Sequence, residues 1–197
     1  PSMVRSWSSA ALKAAICCKE QVSFSNLTTS SFPSVYNYIA SYGDLINALG
    51  ANGQAGLDHF RLHGFAEGRQ VSFSGVDYIA ANGDLINAFG ADSDQGALHY
   101  VQYGFREGRP TNFEGLNYIA SYGDLIHAFG VNDAAGALHF AQFGFREGRH
   151  VTFNGLEYIA SYGDLMNVFG ANDDGGAAHF IQYGRNEGRH ATFDGLN

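Results

Sequence analysis

The chain has 197 residues, with 11 lysines and arginines against 19 aspartates and glutamates, giving a formal charge of −8. An acidic protein repels phosphate backbones, which argues against a nucleic-acid partner, and no apolar run approaches the roughly 20 residues that cross a bilayer. The two cysteines, the adjacent Cys17 and Cys18, are too few for a disulfide framework or a four-cysteine zinc site.

From the N-terminus, the stretch Met3 to Cys18 carries Arg5 and Lys13, several serines and alanines, and no acid before Glu20. It reads either as a targeting peptide or as a terminal helix covering the first repeat, so residues 1–31 form an extension or cap. Met3 behind Pro1-Ser2 has the look of a start residue. Gln21-Val22-Ser23-Phe24-Ser25 matches Gln70-Val71-Ser72-Phe73-Ser74, as though Asn26 to Ser31 were inserted at a repeat junction.

Beyond this entry the chain says nearly the same thing four times. Tyr38, Tyr78, Tyr118 and Tyr158 fall 40 residues apart, each followed by Ile-Ala and then by Gly-Asp-Leu; His59, His99, His139 and His179 keep the same step. So do the Glu-Gly-Arg triplets that end at Arg69, Arg109, Arg149 and Arg189. The repeats run 32–71, 72–111, 112–151 and 152–192, and 193–197 begin a fifth unit, either a stub that caps the array or the start of more repeats. A unit of this size cannot hold a core alone, so each must bury its apolar face against its neighbours.

Within a unit the apolar spacing is helical. Gly115 to Ser121 reads as a helix with Tyr118 and Ile119 pointing inward, and Gly123-Asp124 as a break with Asp124 as N-cap of a second short helix ending near Gly130. In the third helix, Ala97, Tyr100, Val101 and Gly104 follow i, i+3, i+4, i+7 and form one stripe, with His99 and Tyr103 on the opposite side. A helix bulky on both sides is expected to be sandwiched, with one face on its own repeat and the other on the adjoining repeat. The glycine at 64, 104, 144 and 184 sits where a left-handed C-terminal cap is expected. The expected fold is all-α: a solenoid of four repeats, each of two to three short helices.

Several recurring groups could carry chemistry. His99, Tyr103, His139, Phe143, His179 and Tyr183 are candidates for ligand or inter-repeat contacts, the histidines most simply by satisfying a helix-end carbonyl or a carboxylate across a repeat junction. Only the first repeat places two imidazoles, His59 and His63, at the i, i+4 spacing of metal-binding helices, and it lacks an evident third ligand. A transition metal or a haem-type ligand is the alternative that these histidines and the aromatic content raise, although no cofactor is expected. A hydrolase or transferase site around Asp58, His59 and His63 ranks last. The loops at Asp92 to Gly96 and Asn172 to Gly176 fail the calcium-loop pattern and are better helix N-caps. The Arg of each triplet is expected to pair with the Asp that starts a second helix, linking Arg69, Arg109 and Arg149 to Asp84, Asp124 and Asp164 and so tying one repeat to the next.

Taken together, Phe113-Glu114, then Tyr118-Ile119-Ala120-Ser121-Tyr122-Gly123-Asp124-Leu125, then His139-Phe140 and the closing Gly-x-x-Glu-Gly-Arg, resemble the short helical tandem repeats of large bacterial secreted and surface proteins. Related units with Asn-Pro-Asp in place of Tyr-Gly-Asp accompany calcium-binding secreted proteins and polysaccharide-related glycosyltransferases. The likeness covers Phe32 to Asn197. It implies an accessory role outside any catalytic domain and favours an extracellular or cell-surface location over a cytoplasmic one. The expected function is a non-enzymatic scaffold or binding module that meets a protein or glycan several times along its length, and open repeat ends allow self-association.

Overall fold

The computed structural model describes residues 34–193. The expectations for residues 1–31, including the capping helix or targeting peptide and the Cys17-Cys18 pair, and those for 194–197, lie outside the described residues. Among the described residues every regular element is helical. The first repeat contains α1 (Val35–Ala40), α2 (Gly43–Leu49) and α3 (Gly53–His59); the second, α4 (Gly75–Ala80), α5 (Gly83–Phe89) and α6 (Ser93–His99). The third contains α7 (Gly115–Ala120), α8 (Gly123–Phe129) and α9 (Asp133–His139); the fourth, α10 (Gly155–Ala160), α11 (Gly163–Phe169) and α12 (Asp173–His179). Each third helix runs on into one π-helical turn, Phe60–Gly64, Tyr100–Gly104, Phe140–Gly144 and Phe180–Gly184.

Helices of six or seven residues are marginal alone, so local chemistry and packing must hold them. The third helices are capped by Asn52, Asp92, Asn132 and Asn172, whose side chains accept backbone N–H groups two or three residues on. The loops that faintly suggested calcium sites are therefore caps. Asp124 is not the N-cap of α8: that position is Tyr122, in extended conformation, and Asp124 sits in the first turn, leaving its carboxylate free for another partner.

The third helix is indeed sandwiched, but not by the faces the sequence suggested. α6 packs on α4 of its own repeat and on α1 of the preceding one; α9 packs likewise on α7 and α4, and α12 on α10 and α7. Gly96 lies so close to α4 that a Cβ there would stand 2.5 Å from the Gly75 carbonyl oxygen. Ala141, by contrast, packs with Tyr78, Ile79, Leu85 and Ile86 of the repeat before it. Own-repeat and neighbour-repeat contacts thus share the stripe read as one face. The opposite side, at Tyr103, Phe143 and Tyr183, is more than half exposed.

The interior is built from the Tyr-Ile pair of each first helix. Tyr38, Tyr78, Tyr118 and Tyr158 have no exposed surface, and Ile39, Ile79, Ile119 and Ile159 have at most 2%. Full burial of each isoleucine contributes about 1.5–3 kcal/mol, so these recurrent pairs outweigh surface contacts in holding the stack.

The glycine at 64, 104, 144 and 184 corrects another expectation. Gly104 is right-handed, with φ −57° and ψ −36°, and the left-handed residue that ends the unit is Gly108, at φ 65°. Gly104 serves a close approach instead: a Cβ there would lie 2.1 Å from the Tyr78 hydroxyl. The buried tyrosine tip therefore enters the third helix at its π turn, where only glycine leaves room.

Short extended linkers join the repeats. Ser121 Oγ donates to the Asn117 carbonyl and accepts from the Thr152 and Phe153 amides, 2.9 Å each, and Ser41 and Ser161 do the same in their repeats. The second repeat has Ala81 at this place, which offers no such acceptor.

Candidate functional site

Two constellations recur in every repeat, and both are local to it. In the first, the buried tyrosine meets the histidine that ends the third helix. Tyr38 and His59, Tyr78 and His99, Tyr118 and His139, and Tyr158 and His179 each place the hydroxyl 3.0 Å from the imidazole Nδ1. Burial raises all four phenols, those of Tyr78, Tyr118 and Tyr158 to about 12. The hydroxyl thus keeps its proton at any physiological pH and can donate it to a neutral imidazole, which then carries its own hydrogen on Nε2. His99 is lowered, by burial first and by Arg109 second, which favours that neutral form. The sequence pointed these histidines at a carbonyl or carboxylate across a junction; their partner is the phenol of the same repeat.

The imidazole is also the middle of an aromatic row. His99 lies between Phe89 and Tyr103, with ring centroids 5.8 and 5.4 Å away. His139 lies between Phe129 and Phe143 at 5.5 and 5.6 Å, and His179 between Phe169 and Tyr183 at 5.7 Å each. The outer ring of each row, Tyr103, Phe143 or Tyr183, is 55, 54 or 56% exposed. In the first repeat, Leu49 and His63 stand at the equivalent positions.

The second constellation surrounds the closing arginine. Arg149 Nε binds Glu147 at 2.7 Å, its Nη1 binds Asp124 at 2.9 Å, and its guanidinium lies 4.9 Å from the Tyr122 ring centre. Arg69 pairs with Asp44 and Glu67, Arg109 with Asp84 and Glu107, and Arg189 with Asp164 and Glu187. Each pair closes one repeat instead of tying it to the next, because the arginine chain follows the third helix back to the second helix of its own unit. Hydrogen bonding to arginine holds Asp44, Asp84, Asp124 and Asp164 below the usual carboxylate range. Tyr122 completes the unit by donating to the His150 carbonyl and accepting from the His150 amide. Asn82 replaces this tyrosine in the second repeat and donates to the Tyr78 and Pro110 carbonyls.

His59 and His63 have ring centroids 5.6 Å apart, with His59 Nδ1 committed to Tyr38. Among the described residues no group of three His, Cys, Asp or Glu side chains comes together as a metal set. Asp58, invoked beside them for a catalytic site, accepts both of its hydrogen bonds from Gln54. Sequence reasoning missed the tyrosine–histidine pairing, the stacked Tyr42, Tyr122 and Tyr162, and the terminal members Asp44 and Arg189. The invariant offsets, 21 residues from tyrosine to histidine and 25 from aspartate to arginine, were the available signal.

These features define an all-α tandem-repeat array whose recurring polar groups pair within each repeat and whose aromatic rows each end in an exposed ring in the second to fourth repeats. Compared with protein-family models, curated proteins and solved structures, the chain matches none. Among the described residues no helix is long and apolar enough to cross a membrane.

Proposed function

We propose that the protein is a non-enzymatic binding scaffold, secreted or at the cell surface, that holds an extended neutral glycan along its aromatic rows. The observation that carries this reading is the exposure of Tyr103, Phe143 and Tyr183, each tilted against a histidine at the same place in successive repeats. The C–H faces of a pyranose ring carry partial positive charge and lie well against the negative face of an aromatic ring. A neighbouring imidazole N–H adds a donor for a sugar hydroxyl. A net charge of −8 disfavours polyanions, and linked weak contacts gain avidity from repetition.

Affinity electrophoresis in gels containing neutral glucans or xyloglucan tests the reading. Retardation of the native chain, reduced stepwise by Tyr103→Ala, Phe143→Ala and Tyr183→Ala and lost in the triple variant, is the expected result. Retardation that survives the triple variant, or none with any glycan, removes the glycan reading and leaves a protein ligand as the occupant to test.

A further inference from the structure

Besides lacking the serine that Ala81 replaces, the second junction differs from the first and third in one partly buried polar contact. At the first junction, Asn37 Oδ1 accepts from the Gly75 amide at 3.1 Å and its Nδ2 donates to Ser93 Oγ at 3.1 Å. At the third, Asn117 Oδ1 accepts from the Gly155 amide at 3.2 Å and its Nδ2 donates to Asp173 Oδ2, while Asp173 Oδ1 accepts from Leu156 N at 2.9 Å. The amide thus bridges two repeats, accepting from one backbone N–H and donating to one side chain of the next repeat, while Asn117 Nδ2 also donates to Glu114 of its own.

At the second junction both amide functions are gone. Asp77 takes the asparagine's place and Asp133 the place of Ser93 and Asp173. Asp133 Oδ1 still accepts from Leu116 N, at 3.0 Å, but the Gly115 amide now donates to the Phe113 carbonyl, and Asp77 Oδ1 is buried without a hydrogen-bond partner. Two carboxylates in the places of a bridging amide and its acceptor can form no such bridge unless one of them carries a proton, and Asp77 acts electrostatically on Asp133.

We infer that the joint between the second and third repeats is operated by a proton shared between Asp77 and Asp133. With the proton present, a carboxyl O–H replaces the amide donor of Asn117 and the joint closes like its neighbours. With the proton lost, two carboxylates oppose each other across α4 and α9, and this joint becomes the weakest in the array. The inference does not depend on the ligand reading.

The surroundings favour the proton. Burial raises Asp77, countered in part by a hydrogen bond from Ser74, and burial raises Asp133, with Asp77 and Asp174 adding to it. Neither carboxylate has an ion pair among the described residues. On the helices packed against α4, the remaining titratable groups are Asp84 on α5, Asp94 and His99 on α6, and His139 on α9. Of these, Asp84 is held by Arg109, and His99 and His139 by the buried phenols of Tyr78 and Tyr118. A group whose folded pKa is raised adds stability that is complete below its unfolded pKa, near 3.8 here, and is lost as pH rises through the folded value.

The test compares unfolding midpoints of the native chain and Asp77→Asn from pH 4 to 8. Asp77→Asn restores the amide, so its midpoint is expected to exceed that of the native chain by several degrees at pH 7, with the gap shrinking toward pH 4. Equal gaps across the range overturn the shared proton. Should the variant fail to fold, carbon NMR titration of the native carboxyls decides: transitions displaced well above 3.8 and altered at Asp133 by pH changes at Asp77 support the joint, and independent transitions near 3.8 overturn it.

Discussion

The Tyr118 hydroxyl lies 3.0 Å from His139 Nδ1 and directly over Gly144, where a Cβ would stand 2.1 Å from the same oxygen. One buried phenol therefore fixes both a histidine and a glycine 21 and 26 residues further on, and the arrangement recurs in each repeat.

Tyr118→Phe removes the hydrogen bond while keeping the ring contacts with Phe113, Tyr122 and Phe140. The loss should be about 0.5–1.5 kcal/mol, read from urea unfolding. The dependence on pH follows from His99, whose folded pKa is lowered: the stability it adds is complete above about 6.5 and is lost as pH falls through the folded value. Tyr78→Phe leaves burial and Arg109, the causes of that shift, in place, so this part of the profile should persist in the variant.

Gly144→Ala forces the Tyr118 tip out of its site and should destabilise by about 1–3 kcal/mol or more. Gly148→Ala meets open space but holds φ at 69°, so its cost should stay near 1 kcal/mol. Combining Gly144→Ala with Tyr118→Phe removes the closest clash. The double variant should be more stable than the sum of the single effects predicts, and additive losses would contradict the close approach.

Arg149→Lys breaks a fork to Asp124 and Glu147 and a stack on Tyr122, whereas Arg109 has the fork without the stack. Lysine offers a point charge for both roles. Thermal scans should show a larger fall in midpoint for Arg149→Lys than for Arg109→Lys. Asp124 is depressed, so its contribution is present above the unfolded value of 3.8 and lost on acidification through the folded one. The difference between Arg149→Lys and the native chain should therefore narrow at pH 3.

Ala81→Ser restores to the second repeat the hydroxyl that Ser41, Ser121 and Ser161 use to bind the next linker. Two backbone amides, those of Asn112 and Phe113, gain an acceptor, and the midpoint in denaturant should rise by the equivalent of about 0.5–1.5 kcal/mol. No gain would mean that these amides are already satisfied by water.

Much of this architecture was legible in the chain. The 40-residue period, the inward Tyr118-Ile119 pair and the break at Gly123 all follow from recurrence and helical spacing, because identical short units can be stable only by stacking. The asparagine and aspartate caps were legible too, since capping is local chemistry. The left-handed glycine was misplaced by four residues: the helix does not stop at Gly104, and nothing in a helical pattern separates a glycine that ends a helix from one that admits a buried ring.

Sequence by itself determined that short helices would recur, that they would break at Gly123 and that the Tyr118-Ile119 pair would be inside, since these depend on neighbours a few positions away. Tertiary structure alone decided which repeat each long side chain would reach. Arg149 turns back to Asp124 and not forward to Asp164, and His139 meets Tyr118 and not a carbonyl across the junction. Those choices depend on the direction in which the third helix crosses the first. In the second to fourth repeats the two helices approach closely at paired glycines such as Gly75 and Gly96, and in the first at Val35 and Gly56, an approach that no one-dimensional pattern encodes.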